Sequence, residues 1–265
     1  MKTIFDKNII RENCEEFFSL YSFTKGRTSK MCKNKIIHTR HVAANCEALA
    51  KYMGLDEYDT DLAWIIGELH DFARFGQAVV THTFEDSDRF NHAKLGARIL
   101  FVHGMIEDII PNYAEVCGQD KLVMYKAVYH HSDFALPDDL TDREGIFCGL
   151  IRDADKLDIF RNCVYSSWEI TCGCTEEEIF SSDISPKVEE AFYRHNTVNN
   201  ADLGFPADSH LRHIALCFGL ESEAAKKMTV EQGYLQKLME HDFMRPDVQS
   251  RYIKMKQQVT EFLGV

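Results

Sequence analysis

The stretch GELHDFARFGQ, residues 67–77, sets a histidine and an aspartate side by side at the end of an apolar run, His70 then Asp71. Buried charge is costly unless it is paired or bound to a metal. The doublet is therefore either a helix-end pair or half of a metal site. Imidazole nitrogens and carboxylate oxygens are the donors that hold divalent transition metals, and further such groups recur at helical spacing. His38 stands four residues before Val42, which begins the apolar stripe Val42, Cys46, Leu49 and Met53, whereas His41 adjoins the flank. His70 follows Ile66 by four, on a face shared with Leu62 and Leu69. His92 shares a face with Leu95, Gly96 and Ile99, and Gly96 is expected to admit a second backbone. Met124, Ala127 and Val128 lead to His131, and Val123 and Ala127 lead to its neighbour His130. Ile151, Asp155 and Ile159 form one more stripe, with Asp153 and Asp158 as competing carboxylates nearby.

These groups need helices to carry them, and the composition supplies helices. Prolines number only five and glycines 14, apolar residues recur at helical spacing, and alternating strand-like runs are scarce. The expected fold is all-α, with helices over about 8–22, 35–53, 57–75, 91–104, 120–131, 142–166, 176–182, 186–195, 208–218 and 228–263, the last broken near Pro246. The stretches 76–90 and 196–207 are expected to be loops. No internal repeat or low-complexity segment is present. A lone inward histidine is usually a satisfied core residue. Five of them with two carboxylates, at the ends of apolar stripes on four or five separate helices, are hard to satisfy by hydrogen bonding alone. A cation answers both needs, neutralising the carboxylates and using the imidazole lone pairs.

The 265 residues are 45% hydrophobic, enough for one large domain over 1–265. A net charge of −12 argues against a nucleic-acid surface, which needs a basic stripe. It leaves a small phosphate possible, because bound cations reverse the local potential. No apolar run approaches the ~20 residues that span a bilayer. The opening MKTIFDKNII lacks the apolar core of a signal peptide, so a cytoplasmic protein with no membrane partner is expected. The nine cysteines are scattered and odd in number, the pattern of reduced thiols; Cys172 and Cys174 alone are close, a weak zinc signal.

Taken together, H38-T-R-H-V-A, L69-H70-D71-F-A-R74 and A154-D155-K-L-D resemble the HD-domain superfamily of metal-dependent phosphohydrolases. The likeness covers about residues 30–165 and implies an all-α HD-domain bundle with a C-terminal helical extension over about 166–265. It implies His38, His70, Asp71 and Asp155 as metal ligands, and decides for Asp155 over Asp153. A subset of the superfamily adds two histidines that hold a second metal, and His92 and His131 fall where those would lie. His130 is then a ligand in place of His131, a substrate contact or a helix-end residue. The GYP tripeptide of cyclic di-GMP phosphodiesterases is replaced by SDFALPDD after the HH pair, which argues against that activity. By resemblance, Asp71 bridges two divalent ions (Mn, Fe, Co, Ni, Zn or Mg), and a hydroxide shared between them attacks phosphorus. Arg74, one turn past the doublet, and Lys156, beside the last aspartate, are the candidate phosphate-binding cations.

The expected activity is hydrolysis of a phosphate ester of a nucleotide or similar small phosphorylated molecule. Two other readings fit the same ligands: an HD-fold di-iron oxygenase acting on a small polyol or phosphonate, and a non-catalytic nucleotide-binding module. Residues from 166 on carry no second chemical motif. His195, His210, His213 and His241 within them read as structural or exposed, and the region is expected to pack on the bundle or to form a homodimer contact.

Overall fold

The computed structural model describes residues 4–21, 25–87 and 90–265. The end of the first expected helix, at Ser22, and the Asp88–Arg89 part of the loop expected over 76–90 lie outside them. The fold is all-α: no strand forms among the described residues, where an isolated bridge pairs Ser87 with Phe90. Nor, among them, is any helix long and apolar enough to cross a membrane. By its internal contacts the chain divides into two compact units, 1–155 and 156–265. The division falls inside a helix, N-terminal to the start of the extension expected at about 166.

The first unit is built from α1 (Lys7–Ser19), α2 (Gly26–Tyr52), α3 (Glu57–Leu69), α4 (Arg74–Thr81), α5 (His92–Ala97), α6 (Ile106–Ile109), α7 (Gly118–His130) and the start of α8 (Asp142–Tyr165). Its centre is α3, in which Thr60 through Leu69 are all buried. A helix buried on every side belongs in the middle of a bundle. It is started by Asp56, whose side chain accepts from the Asp59 amide, with Glu57 and Asp59 placing negative charge at the positive end of the helix. Along α2 lies a buried stripe of Val42, Ala43, Cys46, Leu49 and Ala50. It meets α3 at Gly67, where a methyl group would stand 2.6 Å from Ala43 Cα and 2.9 Å from its amide nitrogen. The absent side chain lets the two backbones touch. Gly96 is different: a Cβ there would meet Ala73 N at 3.5 Å and Cβ at 3.6 Å, which is ordinary contact, so close approach at this position does not demand glycine.

Three helices are stapled at their N-terminal ends. The Tyr58 hydroxyl donates to Asp120 Oδ2 at 3.0 Å. Arg143 donates to Asp120 Oδ1 from Nε and Nη2, at 3.1 and 2.9 Å, and grips Asp59 with both terminal nitrogens at 2.8 and 2.6 Å. This half-buried network ties the first turns of α3, α7 and α8 together. About three turns further along each helix, at 1.5 Å per residue, come His70, His131 and Asp155.

In the first unit, two boundaries that bear on the site differ from the sequence expectation. The helix expected over 57–75 breaks at His70, and the turn 70–73 leads into α4, which carries helix on to Thr81 through part of the expected loop. Packing explains the break. Phe72 and Phe75, on either side of the new helix start, are buried in stacks with Phe17 (4.1 Å between centroids) and Phe18 (4.0 Å) of α1. The second difference is that α2 begins at Gly26 rather than near Lys35.

The second unit holds the rest of α8 and then α9 (Trp168–Thr171), α10 (Glu176–Ser181), α11 (Pro186–Tyr193), α12 (Pro206–Ala215), α13 (Glu223–Gln232), α14 (Tyr234–Leu238) and α15 (Pro246–Leu263). The helix expected over 228–263 has its expected break before Pro246, between α14 and α15, and a further one at Gly233, whose φ of 69° is the left-handed geometry of a helix stop. Buried Asp208 caps α12, accepting from Ser185 N and Oγ and from the amides of Gly204 and Phe205. The nine cysteines form no disulfide.

Candidate metal centre

Six of the residues singled out from the sequence, on α2, α5, α8 and the turns after α3 and α7, converge in the first unit on Asp71. Its carboxylate has two sides. Oδ2 lies 3.4 Å from His38 Nε2 and 3.2 Å from His70 Nε2. Oδ1 lies 3.3 Å from His92 Nε2 and 3.7 Å from His131 Nε2. Asp155 joins the first side, its Oδ1 3.1 Å from His38 Nε2 and 4.0 Å from His70 Nε2. Asp153, two residues earlier, points about 200° away around the helix. His38, His70, Asp71, His92 and His131 are all buried, whereas His41 is exposed. Two groups of three donors thus share one aspartate, and each could hold a metal ion. Donors ~2.1 Å from a common ion and at right angles to tetrahedral spacing are ~3.0–3.4 Å apart, which is close to the separations found.

The histidines are aimed by their second nitrogens. His70 and His131 each cap the helix they follow, where the last carbonyls lack backbone partners. His70 Nδ1 donates to Gly67 O and His131 Nδ1 to Val128 O, both at 2.7 Å. His92 sits at a helix start and has no such carbonyl, so its Nδ1 meets Asp86 Oδ2 at 2.6 Å. Each Nε2 is therefore left as a lone pair facing Asp71, the arrangement seen when a ligand histidine is oriented from behind. His92 Nε2 and His131 Nε2 point at one another 2.9 Å apart. Among the described residues His70 Nε2 is buried with no hydrogen-bond partner. Facing lone pairs and an orphaned ring nitrogen fit a cation.

Comparison with family models, with curated proteins and with solved structures finds no match for this chain. Its chemistry has to be read from the donors themselves.

Protonation favours the ligand forms. Burial holds His70 neutral by pushing its pKa down, with the Asp71 charge opposing. Burial pushes His92 down to about 4, against the pull of the Asp86 hydrogen bond. At Asp71 burial works the other way, but the positive charge of Lys35 and the contact with His70 outweigh it and hold the carboxyl well below its usual range. Asp155 is likewise held low, the hydrogen bond and charge of His38 overcoming burial. Near neutral pH the centre therefore offers His70 and His92 as neutral imidazoles beside the ionised carboxylates of Asp71 and Asp155.

Arg74 Nε is 3.4 Å from Asp71 Oδ1, and its Nη1 donates to Gln77 Oε1 (2.7 Å), Asp86 Oδ1 (3.2 Å) and Phe84 O. Its observed bonds hold the 84–86 loop, and so Asp86, against His92. His130 turns to Asp133, Nδ1 to Oδ2 at 2.7 Å. Lys156 opens the second unit, where it is buried with the end of its side chain beside Gly219. His195, His210, His213 and His241 also belong to that unit. Among the described residues no third group of three donors forms around Cys172 and Cys174.

Three participants escaped the sequence reading. Asp86 lies in the loop after α4, where periodicity gives no signal, and Gln77 lies on α4 in a stretch expected to be a loop. Lys35 pairs with Asp71 Oδ2 and lies 5.5 Å from the Phe84 ring centre. It precedes His38 by three residues on α2, and that i, i+3 relation was a usable signal.

Proposed function

We propose that this protein is a metal-dependent phosphohydrolase acting on a phosphate ester of a nucleotide or similar small phosphorylated molecule. The observation that supports this most is Asp71, whose two oxygens face two separate histidine sets, one of them completed by Asp155. A carboxylate so placed can bridge a pair of ions, and the HD-type resemblance of the sequence points the same way. Two divalent ions, when bound, would supply an activated water and positive charge for the phosphoryl oxygens.

The chain's own residues do the positioning. Gly67 O, Val128 O and Asp86 fix the ring planes of His70, His131 and His92. Arg74 holds the Asp86 loop and lies next to Asp71, so it both shapes the centre and brings a guanidinium to its edge. His130, next to His131 and oriented by Asp133, takes the role of a substrate contact.

The test is a panel of nucleotides and generic phosphate esters offered to Mn-loaded protein, with and without oxygen. Phosphate release that persists anaerobically and is lost in Asp71→Ala is expected. Absence of release from every ester, or oxygen uptake coupled to substrate cleavage by iron-loaded protein, would contradict the proposal; the second result would favour the oxygenase reading.

A further inference from the structure

Lys35 is a third kind of group at the centre. Its ammonium pairs with Asp71 Oδ2, the oxygen that faces His38 and His70, and its side chain is only 15% exposed. Among the described residues Asp71 is the carboxylate it pairs with. Lys35 therefore occupies, with one positive charge, the side of Asp71 where the first group of metal donors converges. Arg74 differs, since it has Asp86 as a second acidic partner.

We infer that Lys35 is an exchangeable counter-ion: it neutralises Asp71 while the site lacks metal, gives up Oδ2 when a divalent cation binds, and then serves as a ligand for the phosphate of the substrate. The reasoning is electrostatic. A buried carboxylate needs a cation beside it at all times, and a single ammonium and a divalent ion compete for the same oxygen lone pairs. Displaced from Asp71, Lys35 remains tethered by α2 near Phe84, which also lies 5.6 Å from the Arg74 guanidinium. Two dications outweigh the charges of Asp71 and Asp155, so a released ammonium adds to a positive excess that favours an incoming anion. An ammonium is a compact, mobile point charge suited to such an exchange, which a planar guanidinium fixed by several acceptors is not. The anion half of this inference rests on the phosphohydrolase reading; the exchange with metal does not.

The test uses the intact wild-type chain and reads Lys35 itself. Amine-specific acylation followed by peptide mass spectrometry would be run without metal, with Mn²⁺ alone, and with Mn²⁺ plus inorganic phosphate. Mn²⁺ is expected to raise Lys35 modification about tenfold, the equivalent of losing one charged hydrogen bond, and phosphate to return it towards the metal-free rate. In parallel, Lys35→Met, which keeps the apolar stem, should bind Mn²⁺ about tenfold more tightly and inorganic phosphate about tenfold more weakly than wild type. Mn²⁺ binding with no change at Lys35 would overturn the inference and leave the phosphohydrolase reading standing. Release by Mn²⁺ without re-protection by phosphate would overturn the anion role. Failure of wild type to bind Mn²⁺ at all would overturn both.

Discussion

At the scale of single residues, the centre depends on groups that never face the ions. Asp86 is the clearest case: it accepts from His92 Nδ1, from Gln77 Nε2 and from Arg74 Nη1, and so links three side chains. Removing it frees the His92 ring to rotate and leaves Arg74 with Asp71 as its acidic partner. Asp86→Ala should therefore weaken metal binding on the His92–His131 side about 10- to 100-fold, the usual cost of losing a residue behind a ligand. Binding on the His38–His70 side should change much less. Metal titration of the variant checks this, and equal loss at both positions would show that Asp86 acts on the fold and not on His92. His70 and His38 were legible in the sequence because each extends an apolar stripe, a pattern that a helix converts directly into inward placement, and Asp71 because it stands beside His70. Asp86 was not legible, because a loop residue's direction is set by its tertiary partners and leaves no periodic trace.

At the scale of elements, three helices of matched reach run from the Tyr58–Asp120–Arg143 network to the centre, while Gly67 lets α2 touch α3. That contact fixes His38 against His70, whose rings are 5.4 Å apart. Gly67→Ala places a methyl group into Ala43 backbone that cannot rotate away. The expected cost is about 1–3 kcal/mol of stability, with a parallel fall in metal affinity as α3 moves off α2. Urea unfolding and metal titration of this variant measure the two effects. Gly96→Ala, where the added carbon meets only ordinary contacts, should be nearly silent in both. The sequence marked Gly96 and not Gly67, since helical spacing reveals which face a glycine occupies but not how near the opposing backbone comes. The all-α class was readable from spacing and composition. The break after Leu69 was not, because it is caused by Phe72 and Phe75 stacking on α1, a long-range effect that overrides local helix preference.

At the scale of the whole molecule, buried histidines make stability depend on acid. In the second unit His210 is packed against Trp168 and Phe180 and is 1% exposed, and burial pushes its pKa down to about 3. The folded form keeps it neutral, whereas the unfolded chain takes up a proton near pH ~6.5. Its contribution is thus present above pH ~6.5 and lost as the pH falls towards 3, at up to about 1.4 kcal/mol per pH unit. His92, held down to about 4, acts in the same direction over a narrower window. Urea midpoints of the metal-free protein should fall between pH ~7 and pH ~5, and the drop should shrink in His210→Phe. An unchanged drop in that variant would remove His210 from the account.

The number of metal ions each chain holds bears most directly on the central claim, that Asp71 stands between two sites. Equilibrium dialysis against Mn²⁺, followed by elemental analysis, should approach about two ions per chain for wild type, about one for His131→Ala, and none retained by Asp71→Ala, as expected of a dinuclear centre with a shared carboxylate. A wild-type protein that never exceeds one ion under saturating Mn²⁺, or an Asp71→Ala variant that keeps its full complement, would contradict the shared-carboxylate centre.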